Sequence, residues 1–314
     1  MAGAMSVAQA QMQASTAWPE RPIRIVVPFV PGGAADSVAR LLAPKLQERL
    51  GQPVVIENRA GGGAILGTDL VATAPADGYT LLMGSASNAI GSALFRKLPY
   101  VFEKDFSAIS QVADVPGVLV VAATLPVRTV AELITYTEKN GAQMSFGSPG
   151  YGTSVHLAGE LFMQMTRTRM VHVPYKGAQP ALVDLTAGRI QMMFPALAAV
   201  QAHVQGGRLK ALAVTSKERS ALAPTLPTLA EAGVPGYAVG GWIGLFAPAK
   251  TPAPVLERLA RALVEALQSA EVRESLTKAG VEPKPSGARE FAALVVSETR
   301  RWEQLVNQAG LEKQ

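Results

Sequence analysis

A buried apolar strand, a glycine–proline turn and the first turn of a helix follow one another directly in the segment Ile25–Arg40. Because the helix starts immediately after Gly32 and Gly33, its first main-chain N–H groups have no intrahelical partner, and the positive end of its dipole faces outward. Such a helix start binds small anions, and glycine lets a ligand approach the backbone closely. This segment predicts a ligand site at the end of a buried strand.

A second turn of the same kind lies near the middle of the chain, in the segment Phe146–His156. Three glycines keep side chains away from the backbone there, and Ser148, Thr153 and Ser154 add hydroxyl groups to the free N–H groups of the next helix. Serine or threonine at a helix start is also ordinary N-capping, which needs no ligand. Capping alone does not require three glycines, so the sequence favours a ligand site. Two such turns in separate halves predict a ligand held from both sides.

The composition excludes several classes of function. The chain has 314 residues, of which 48% are hydrophobic, and this length favours two cores over one. Only 17% of the residues are charged, the net charge of +5 is modest, and no long block of like charges occurs. A nucleic-acid partner is therefore not predicted. Cysteine is absent, which excludes disulfides, thiol nucleophiles and thiolate metal sites.

Residues 1–17 differ from the rest, since they are small, uncharged and weakly apolar. Within them, Ala8-Gln9-Ala10 fits the small-x-small cleavage pattern of a secretory signal. The two interpretations are the remnant of a signal peptide and a disordered leader, and the first predicts an exported chain. No apolar run approaching about 18 residues follows, so no transmembrane helix is expected.

From about residue 22 onwards, short apolar runs alternate with longer amphipathic stretches, a pattern typical of α/β folds with parallel strands. A strand, a proline and a helix follow one another at 117–139 and again at 242–269, which indicates two passages between two lobes. The sequence therefore predicts two α/β lobes, with crossings near residues 118–124 and 240–247. The predicted bounds are 1–17 for the leader, 18–118 plus 247–314 for a discontinuous first lobe, and 119–246 for the second.

Motifs for catalysis and cofactor binding are weak or missing. Residues 61–67 read G-x-G-x-x-x-G, which departs from the dinucleotide fingerprint and is explained as well by a flexible turn with tight helix packing. Neither a phosphate-binding loop nor a G-x-S-x-G motif occurs. His156 and Glu160 share a helix face, but two ligands make a poor metal site, and a hydrogen-bonded structural pair is the favoured alternative. No catalytic residue, metal or cofactor is predicted.

Further candidates follow other predicted strands and should border the same crevice, because ligands bind beyond the carboxyl ends of strands in open α/β sheets. A small polar turn is predicted at Gly84–Asn88, after the third strand. Phe29 is predicted either to form a wall of the cleft or to pack in the core. Trp242 is predicted either to cover a ligand or to fill the hinge. The predicted ligand-binding residues are Phe29, Pro31, Gly32, Gly33, Asp36, Ser85, Ser87, Asn88, Gly147, Ser148, Gly150, Gly152, Thr153, Ser154, His156, Tyr175, Phe194, Pro195, Ala196 and Trp242.

Seven stretches carry a resemblance to a known family: Trp18–Arg24, Val27–Asp36, Val55–Gly63, Ala76–Leu82, Gly147–Thr153, Val173–Gly177 and Trp242–Ala249. In this order they resemble the substrate-binding proteins of tripartite tricarboxylate transporters, the Bug family. The resemblance spans residues 18–310. It implies a two-lobed periplasmic-binding-protein fold of type II, the Venus flytrap, with two crossing strands.

The resemblance also implies a function. Members of this family capture a small carboxylate in the periplasm and pass it to the membrane permease subunits of the transporter. Backbone amides, small hydroxyls and bridging waters hold the carboxylate, which places the site at 29–33, 85–88 and 147–156. The ligand classes are di- and tricarboxylates, amino acids and aromatic acids. Members often carry an acidic residue in the strand that corresponds to Arg189–Pro195, and this chain has none there.

Two alternatives stay open at the level of the sequence. The first is a ligand-sensing component that presents its closed form to a membrane signalling partner instead of a permease. The second, less favoured, is an enzyme that acts on carboxylic acids. The chain is expected to work as a monomer with a small carboxylate as its ligand.

Overall fold

The computed structural model describes residues 18–308 and 310–313, so the predicted leader at 1–17 lies outside the described residues. The strands are β1 (Ile23–Val27), β2 (Val54–Asn58), β3 (Thr80–Ser85), β4 (Phe106–Val115), β5 (Val118–Ala122), β6 (Ser145–Ser148), β7 (Val171–Pro174), β8 (Met192–Met193), β9 (Leu209–Val214), β10 (Gly241–Pro248) and β11 (Glu282–Pro283). The α-helices are α1 (Ala34–Leu50), α2 (Ile65–Ala72), α3 (Ala86–Leu94), α4 (Phe102–Asp105), α5 (Val130–Asn140), α6 (Ser154–Thr166), α7 (Ala178–Thr186), α8 (Leu197–Gln205), α9 (Ala253–Gln268), α10 (Ala270–Lys278) and α11 (Ala288–Gln308). None of these helices has an apolar stretch that would reach across a bilayer.

The first sheet contains six strands in the order β11-β4-β10-β3-β1-β2. β1 runs parallel to both of its neighbours, with Ile25 opposite Ile56 of β2 and Leu81 of β3, whereas β10 runs antiparallel to β3 and β4. Val26 packs into a core with helices α3 and α11, and Ile25 packs with α1 and α9 on the other face. Burial on both faces explains why β1 reads as a continuous apolar run in the sequence.

The second sheet contains five strands in the order β7-β6-β8-β5-β9. β6 is parallel to β7 and β8, whereas β5 is antiparallel to β8 and β9. The apolar run Val118–Ala122 is buried throughout, so this strand forms the middle of the second lobe's core. The fold is therefore a two-lobed α/β fold, as predicted.

The chain passes between the two sheets at two places. The first passage is Pro116–Gly117, between β4 and β5, and the second is the segment 215–240, between β9 and β10. The sequence assigns 119–246 to the second lobe, but residues 241–246 belong to β10 and pair with β3 and β4 of the first sheet. The second lobe therefore ends before residue 241 and not at residue 246. The sequence does not reveal this, because an apolar strand next to a passage has the same pattern whichever sheet it joins.

Helix α1 positions the first glycine turn. Its residues Val38, Leu42, Leu46 and Leu50 recur every fourth position and are all buried, so one face of the helix is fixed against the first sheet. The helix ends at Gly51, whose φ of +73° is the left-handed conformation expected of a C-terminal glycine. With the helix body fixed in this way, its N-terminus is held at the end of β1.

The segment 61–67 is a packing element. A Cβ atom on Gly67 would lie 2.6 Å from the main-chain oxygen of Arg59 and 2.8 Å from the Cα atom of Pro28. Helix α2 therefore packs so closely against the backbone of Pro28 and Arg59 that only glycine fits at position 67. This close approach supports the helix-packing interpretation of the glycine motif over dinucleotide binding.

Candidate functional site

A cavity of about 350 Å³ lies where β1 and β3 end, β10 begins and α6 of the second lobe starts. Its size falls within the range of roughly 300–1,000 Å³ that is usual for small-molecule sites. The lining residues are Phe29, Val30, Gly33, Ala34, Ala35, Ser85, Ala86, Ser87, Val115, Ser154, Gly241, Trp242 and Ile243. The cavity thus joins the first glycine turn, the end of β3 and the start of α6.

The turn after β1 is held by a buried carboxylate. Asp36 accepts hydrogen bonds from the main-chain N–H of Gly32 at 2.9 Å, from Arg40 at 3.0 Å and from the side-chain amide of Asn58 at 2.9 Å. Burial by itself raises the pKa of Asp36, but these hydrogen bonds outweigh burial, and the pKa lies below its ordinary value. The Asn58 amide also donates to the carbonyl oxygen of Phe29 at 3.1 Å. Asp36 therefore fixes the turn and does not line the cavity.

The first turn of α1 leaves main-chain donors free. Gly32 has a φ of +87°, which favours glycine, and Gly33 is the N-cap in an extended conformation with no side-chain cap. Among the described residues, no hydrogen bond uses the main-chain N–H of Ala34 or Ala35. Both residues line the cavity. The helix start therefore offers free main-chain donors at the cavity, the arrangement that favours a small anion.

The polar turn predicted at Gly84–Asn88 is wrong, because β3 runs to Ser85 and α3 follows at once. Ser85 is the N-cap and accepts from the N–H of Ser87 at 3.3 Å, while the Asn88 side chain accepts from the N–H of Ser85 at 2.9 Å. The Asn88 amide also donates to the hydroxyl of Thr68 at 2.9 Å. Asn88 is buried and serves the cap, whereas Ser85 and Ser87 line the cavity.

The second glycine loop uses its hydroxyl groups internally. The hydroxyl of Ser148 is buried, donates to the carbonyl oxygen of Gly150 at 2.8 Å and lies 2.7 Å from Nε2 of His172. Thr153 donates to the same Gly150 oxygen at 2.8 Å and accepts from the N–H of His156 at 3.3 Å. Neither Ser148 nor Thr153 lines the cavity. Both hydroxyls shape the loop.

Two stacked histidines support this loop. Nδ1 of His156 accepts from the N–H of Gly152 at 3.0 Å, which leaves the ring proton on Nε2, 3.3 Å from the Glu160 carboxylate. The ring of His172 stacks on that of His156 with centroids 3.9 Å apart. Burial and the neighbouring His156 lower the pKa of His172 to about 4. The His156–Glu160 pair is thus occupied by structural contacts.

Metal binding has little support from the geometry. Across residues 18–308 and 310–313, no group of three or more histidine, aspartate or glutamate side chains is placed to hold a metal ion. His156 and Glu160 come together without a third ligand.

The predicted residues Tyr175, Phe194, Pro195 and Ala196 lie in the body of the second lobe. The hydroxyl of Tyr175 donates to Asp184 at 2.8 Å, and burial together with this carboxylate raises the pKa of Tyr175 to about 12. Phe194 is buried in the core, and the backbone of Pro195 and Ala196 pairs with the chain around the first passage between the sheets. None of these residues lines the cavity.

The cavity brings together six of the predicted residues, namely Phe29, Gly33, Ser85, Ser87, Ser154 and Trp242. It does not include Pro31, Gly32, Asp36, Asn88, Gly147, Ser148, Gly150, Gly152, Thr153, His156, Tyr175, Phe194, Pro195 or Ala196. Sequence reasoning did not select Val30, Ala34, Ala35, Ala86, Val115, Gly241 or Ile243. For Ala34, Ala35 and Ala86 the signal in the sequence is their position at a helix start. The first residues of a helix offer their main-chain N–H groups whatever their side chains are.

Three helices begin at this cavity. The first residues of α1, α3 and α6 are Ala34, Ala86 and Ser154, and all three line it. Each helix N-terminus carries the equivalent of about half a positive charge. None of the lining residues is charged. The groups that favour an anion here are therefore main-chain dipoles and not charged side chains, which suits a small anion such as a carboxylate.

Comparison with known proteins gives consistent results. The chain matches the tripartite tricarboxylate transporter family receptor, TctC, over residues 38–311. It is 39% identical to the protein BugT of Bordetella pertussis over 295 residues, which are 93% of this chain and 90% of BugT.

Two solved structures are similar to this chain in both fold and sequence. Rpa4515 of R. palustris with adipate has a TM-score of 0.82 at 37% identity and covers 93% of this chain and 98% of its own. MatC (Rpa3494) from Rhodopseudomonas palustris with bound malate has a TM-score of 0.78 at 34% identity, with 92% and 100% covered. The chain therefore belongs to the receptor family of tripartite tricarboxylate transporters, the Bug family that its sequence motifs resemble.

Proposed function

We propose that this chain captures a small organic acid by its carboxylate in the cavity between the lobes and delivers it to the permease of a tripartite tricarboxylate transporter. One observation carries the proposal: α1, α3 and α6 begin at one cavity that no charged side chain lines. A carboxylate there accepts hydrogen bonds from free N–H groups, such as those of Ala34 and Ala35, and from serine hydroxyls.

These donors can supply the affinity that a receptor needs. A micromolar dissociation constant corresponds to about 8 kcal/mol. Hydrogen bonds to a charged group contribute about 1.5–3 kcal/mol each, before the cost of ordering the ligand is subtracted. Several such bonds in a site shielded from water are sufficient. Neutral donors also suit a receptor that must release its cargo, because no fixed ion pair has to be broken.

The relatives support the ligand class, the location and the partner. Adipate and malate, which occupy the structures of Rpa4515 and MatC, are both small carboxylates. The family is described as the receptor of a tripartite transporter, which supports permease subunits as the partner. BugD, a periplasmic binding protein that is 34% identical to this chain, supports a periplasmic location.

The proposal can be tested by removing one main-chain donor. Ala34 is the first residue of α1, a position that accepts proline because its N–H has no intrahelical partner. Gly33 already has the extended conformation that a residue before proline needs. Ala34→Pro therefore deletes an N–H at the cavity and leaves the helix intact. We expect binding to weaken roughly 10- to 100-fold, as for the loss of one hydrogen bond to a charged group.

The matched control is Ala253→Pro. Ala253 is the first residue of α9, follows an extended residue in the same way and does not line the cavity. A thermal-shift screen of mono-, di- and tricarboxylates and amino acids identifies a ligand, because a ligand selective for the folded state raises the melting temperature. Titration calorimetry then compares both variants with the unmodified protein. The proposal fails if no carboxylate binds, or if Ala34→Pro and Ala253→Pro bind the ligand equally well.

A further inference from the structure

The polar groups of the cavity are confined to its helix starts. The main-chain N–H groups of α1 lie there, together with the hydroxyls of Ser85, Ser87 and Ser154. Ser85 already accepts the N–H of Ser87 as the N-cap of α3. These groups are enough to surround one carboxylate. Within this cavity, they leave few partners for polar atoms elsewhere on the same ligand.

The other lining side chains are apolar. Phe29 and Val30 come from the turn after β1, Val115 from the end of β4, and Trp242 and Ile243 from the start of β10. They belong to three separate segments of the first lobe. A hydroxyl placed against these side chains would lose water without gaining a hydrogen bond, because the indole N–H of Trp242, the one polar side-chain group among them, is itself buried out of reach.

The aromatic part of this surface is rigid. Trp242 is 3% exposed, and its ring packs edge-on against that of Phe291 of α11, with centroids 5.2 Å apart at 87°. Phe291 fits over β10 because residue 244 is glycine, since a Cβ there would lie 2.0 Å from the Phe291 ring. A second aromatic ring, Phe246, lies 6.0 Å from Trp242. With this support, Trp242 cannot easily turn away to admit a hydrated polar group.

We infer that the ligand of this chain is an acid with an apolar body, aliphatic or aromatic, and not a hydroxylated polycarboxylate. The inference rests on the proposed function, since the carboxylate occupies the helix starts. The apolar body then lies against Phe29, Val115, Trp242 and Ile243, where burial of carbon atoms adds to the affinity. This narrows the ligand classes of di- and tricarboxylates, amino acids and aromatic acids predicted from the sequence.

A matched pair of ligands separates the contribution of the carbon chain to binding from that of the carboxylates. Adipate and galactarate have the same six-carbon chain and the same two carboxylates, but galactarate carries a hydroxyl on each of its four inner carbons. Titration calorimetry on the unmodified protein should show adipate binding at least roughly 100-fold more tightly, because several hydroxyls would be desolvated without partners. Benzoate should also bind, and citrate and malate should bind more weakly than adipate.

The outcomes separate the inference from the proposed function. If galactarate, malate or citrate binds as well as adipate or better, the inference is overturned and the proposed function stands. If neither this series nor the wider carboxylate screen gives a ligand, the proposed function falls, and the inference falls with it. Tight binding of adipate or benzoate together with weak binding of galactarate supports both.

A substitution in the lining gives a second readout. Val115→Thr keeps the shape of the side chain and puts a hydroxyl among the apolar lining residues. We expect adipate affinity to fall roughly 5- to 30-fold while galactarate affinity stays constant or rises, as for burial of an unpaired hydroxyl. Val171→Thr makes the same chemical change at an exposed position on β7, outside the cavity, and should leave both affinities unchanged. An equal loss for adipate and galactarate in Val115→Thr would contradict the inference.

Discussion

The two glycine turns share a sequence pattern of strand, glycine and helix start, yet they differ in which groups they leave free. In the first turn, the buried Asp36 carboxylate takes the N–H of Gly32, and the N–H groups of Ala34 and Ala35 are left at the cavity. In the second, Ser148 and Thr153 bond within their own loop. The first turn therefore leaves main-chain donors at the cavity, whereas the second uses its hydroxyls to hold the start of α6 in place.

The difference comes from the kind of side chain that stabilises each turn. Asp36 closes the first turn from inside the protein, so the helix start needs no cap from a hydroxyl. In the second loop Thr153 is the N-cap of α6 and covers the N–H of His156. A capped helix start has one donor fewer for a ligand. The comparison shows that a hydroxyl at a helix start can reduce the anion site that the same helix provides.

The largest expected effect follows from Asp36→Ala. This change leaves the N–H of Gly32, the Arg40 guanidinium and the Asn58 amide without their buried partner, so we expect the free energy of unfolding to fall by about 2–4 kcal/mol. Ligand affinity should fall more than tenfold, because the turn that positions the free N–H groups is no longer fixed. Urea unfolding and titration calorimetry measure the two quantities.

The control for this change is Asp77→Ala. Asp77 also pairs with an arginine, Arg21, at 2.9 Å and accepts the main-chain N–H of Tyr79 at 3.1 Å, but the side chains of Asp77 and Arg21 are exposed, so the stability should fall by only about 1 kcal/mol. The pH dependence of Asp36 adds a check. Because its pKa is lowered in the folded state, its contribution is present above the unfolded pKa and is lost as the pH falls through the lower, folded pKa. Similar stability losses in the two variants would contradict the role of Asp36.

A smaller effect, of a different kind, is expected from Ser148→Ala. The change removes the buried hydroxyl that contacts the Gly150 carbonyl and His172, so the free energy of unfolding should fall by about 1–3 kcal/mol. Affinity should fall less than in Ala34→Pro, since Ser148 does not line the cavity. Chemical denaturation and calorimetry on the same samples compare stability with binding. A greater loss of affinity than in Ala34→Pro would mean that the second loop contacts the ligand directly.

Much of the fold could be predicted from the sequence. The buried strand β1, the long amphipathic helices such as α11 and the α/β alternation all follow from local periodicity. Helix α3 was missed because Ser85 and Asn88 look like turn residues, although serine followed three positions later by asparagine forms a reciprocal cap here. The sheet membership of residues 241–246 was missed as well, because strand pairing depends on partners far away in the chain.

The site was less predictable than the fold. The glycine turns pointed to the right region, but a sequence does not show whether a hydroxyl or carboxylate is free or already bonded. Asp36, Asn88 and Ser148 were selected for their polar groups, and each of these groups is used inside the protein. The sequence predicts free N–H groups at the start of α1, and the structure shows that those at the cavity belong to Ala34 and Ala35, which are not among the predicted site residues.

The smallest expected effect is a difference between the two glycine turns in how stability depends on pH. His172 has a pKa of about 4 in the folded state, against an ordinary value of 6.5, so the unfolded chain takes up a proton that the folded chain refuses between these values. Stability supported by the neutral His172 is therefore complete above pH 6.5 and is lost as the pH falls toward 4. We expect a loss of about 1–2 kcal/mol over this window, after allowance for solvent screening. Asp36, by contrast, acts only at lower pH.

His172→Gln should flatten the pH dependence of stability between pH 6.5 and pH 4, because glutamine does not titrate. The glutamine amide can still form a hydrogen bond with the Ser148 hydroxyl. His203→Gln removes an imidazole from α8, outside the second glycine loop, and serves as the control. Urea unfolding of the three proteins from pH 7 to pH 4 measures the slopes. Because His156 stacks on His172 and helps to lower its pKa, flattening specific to His172→Gln reports this pair of stacked rings. Parallel slopes in all three proteins would show that the second turn does not respond to pH through His172.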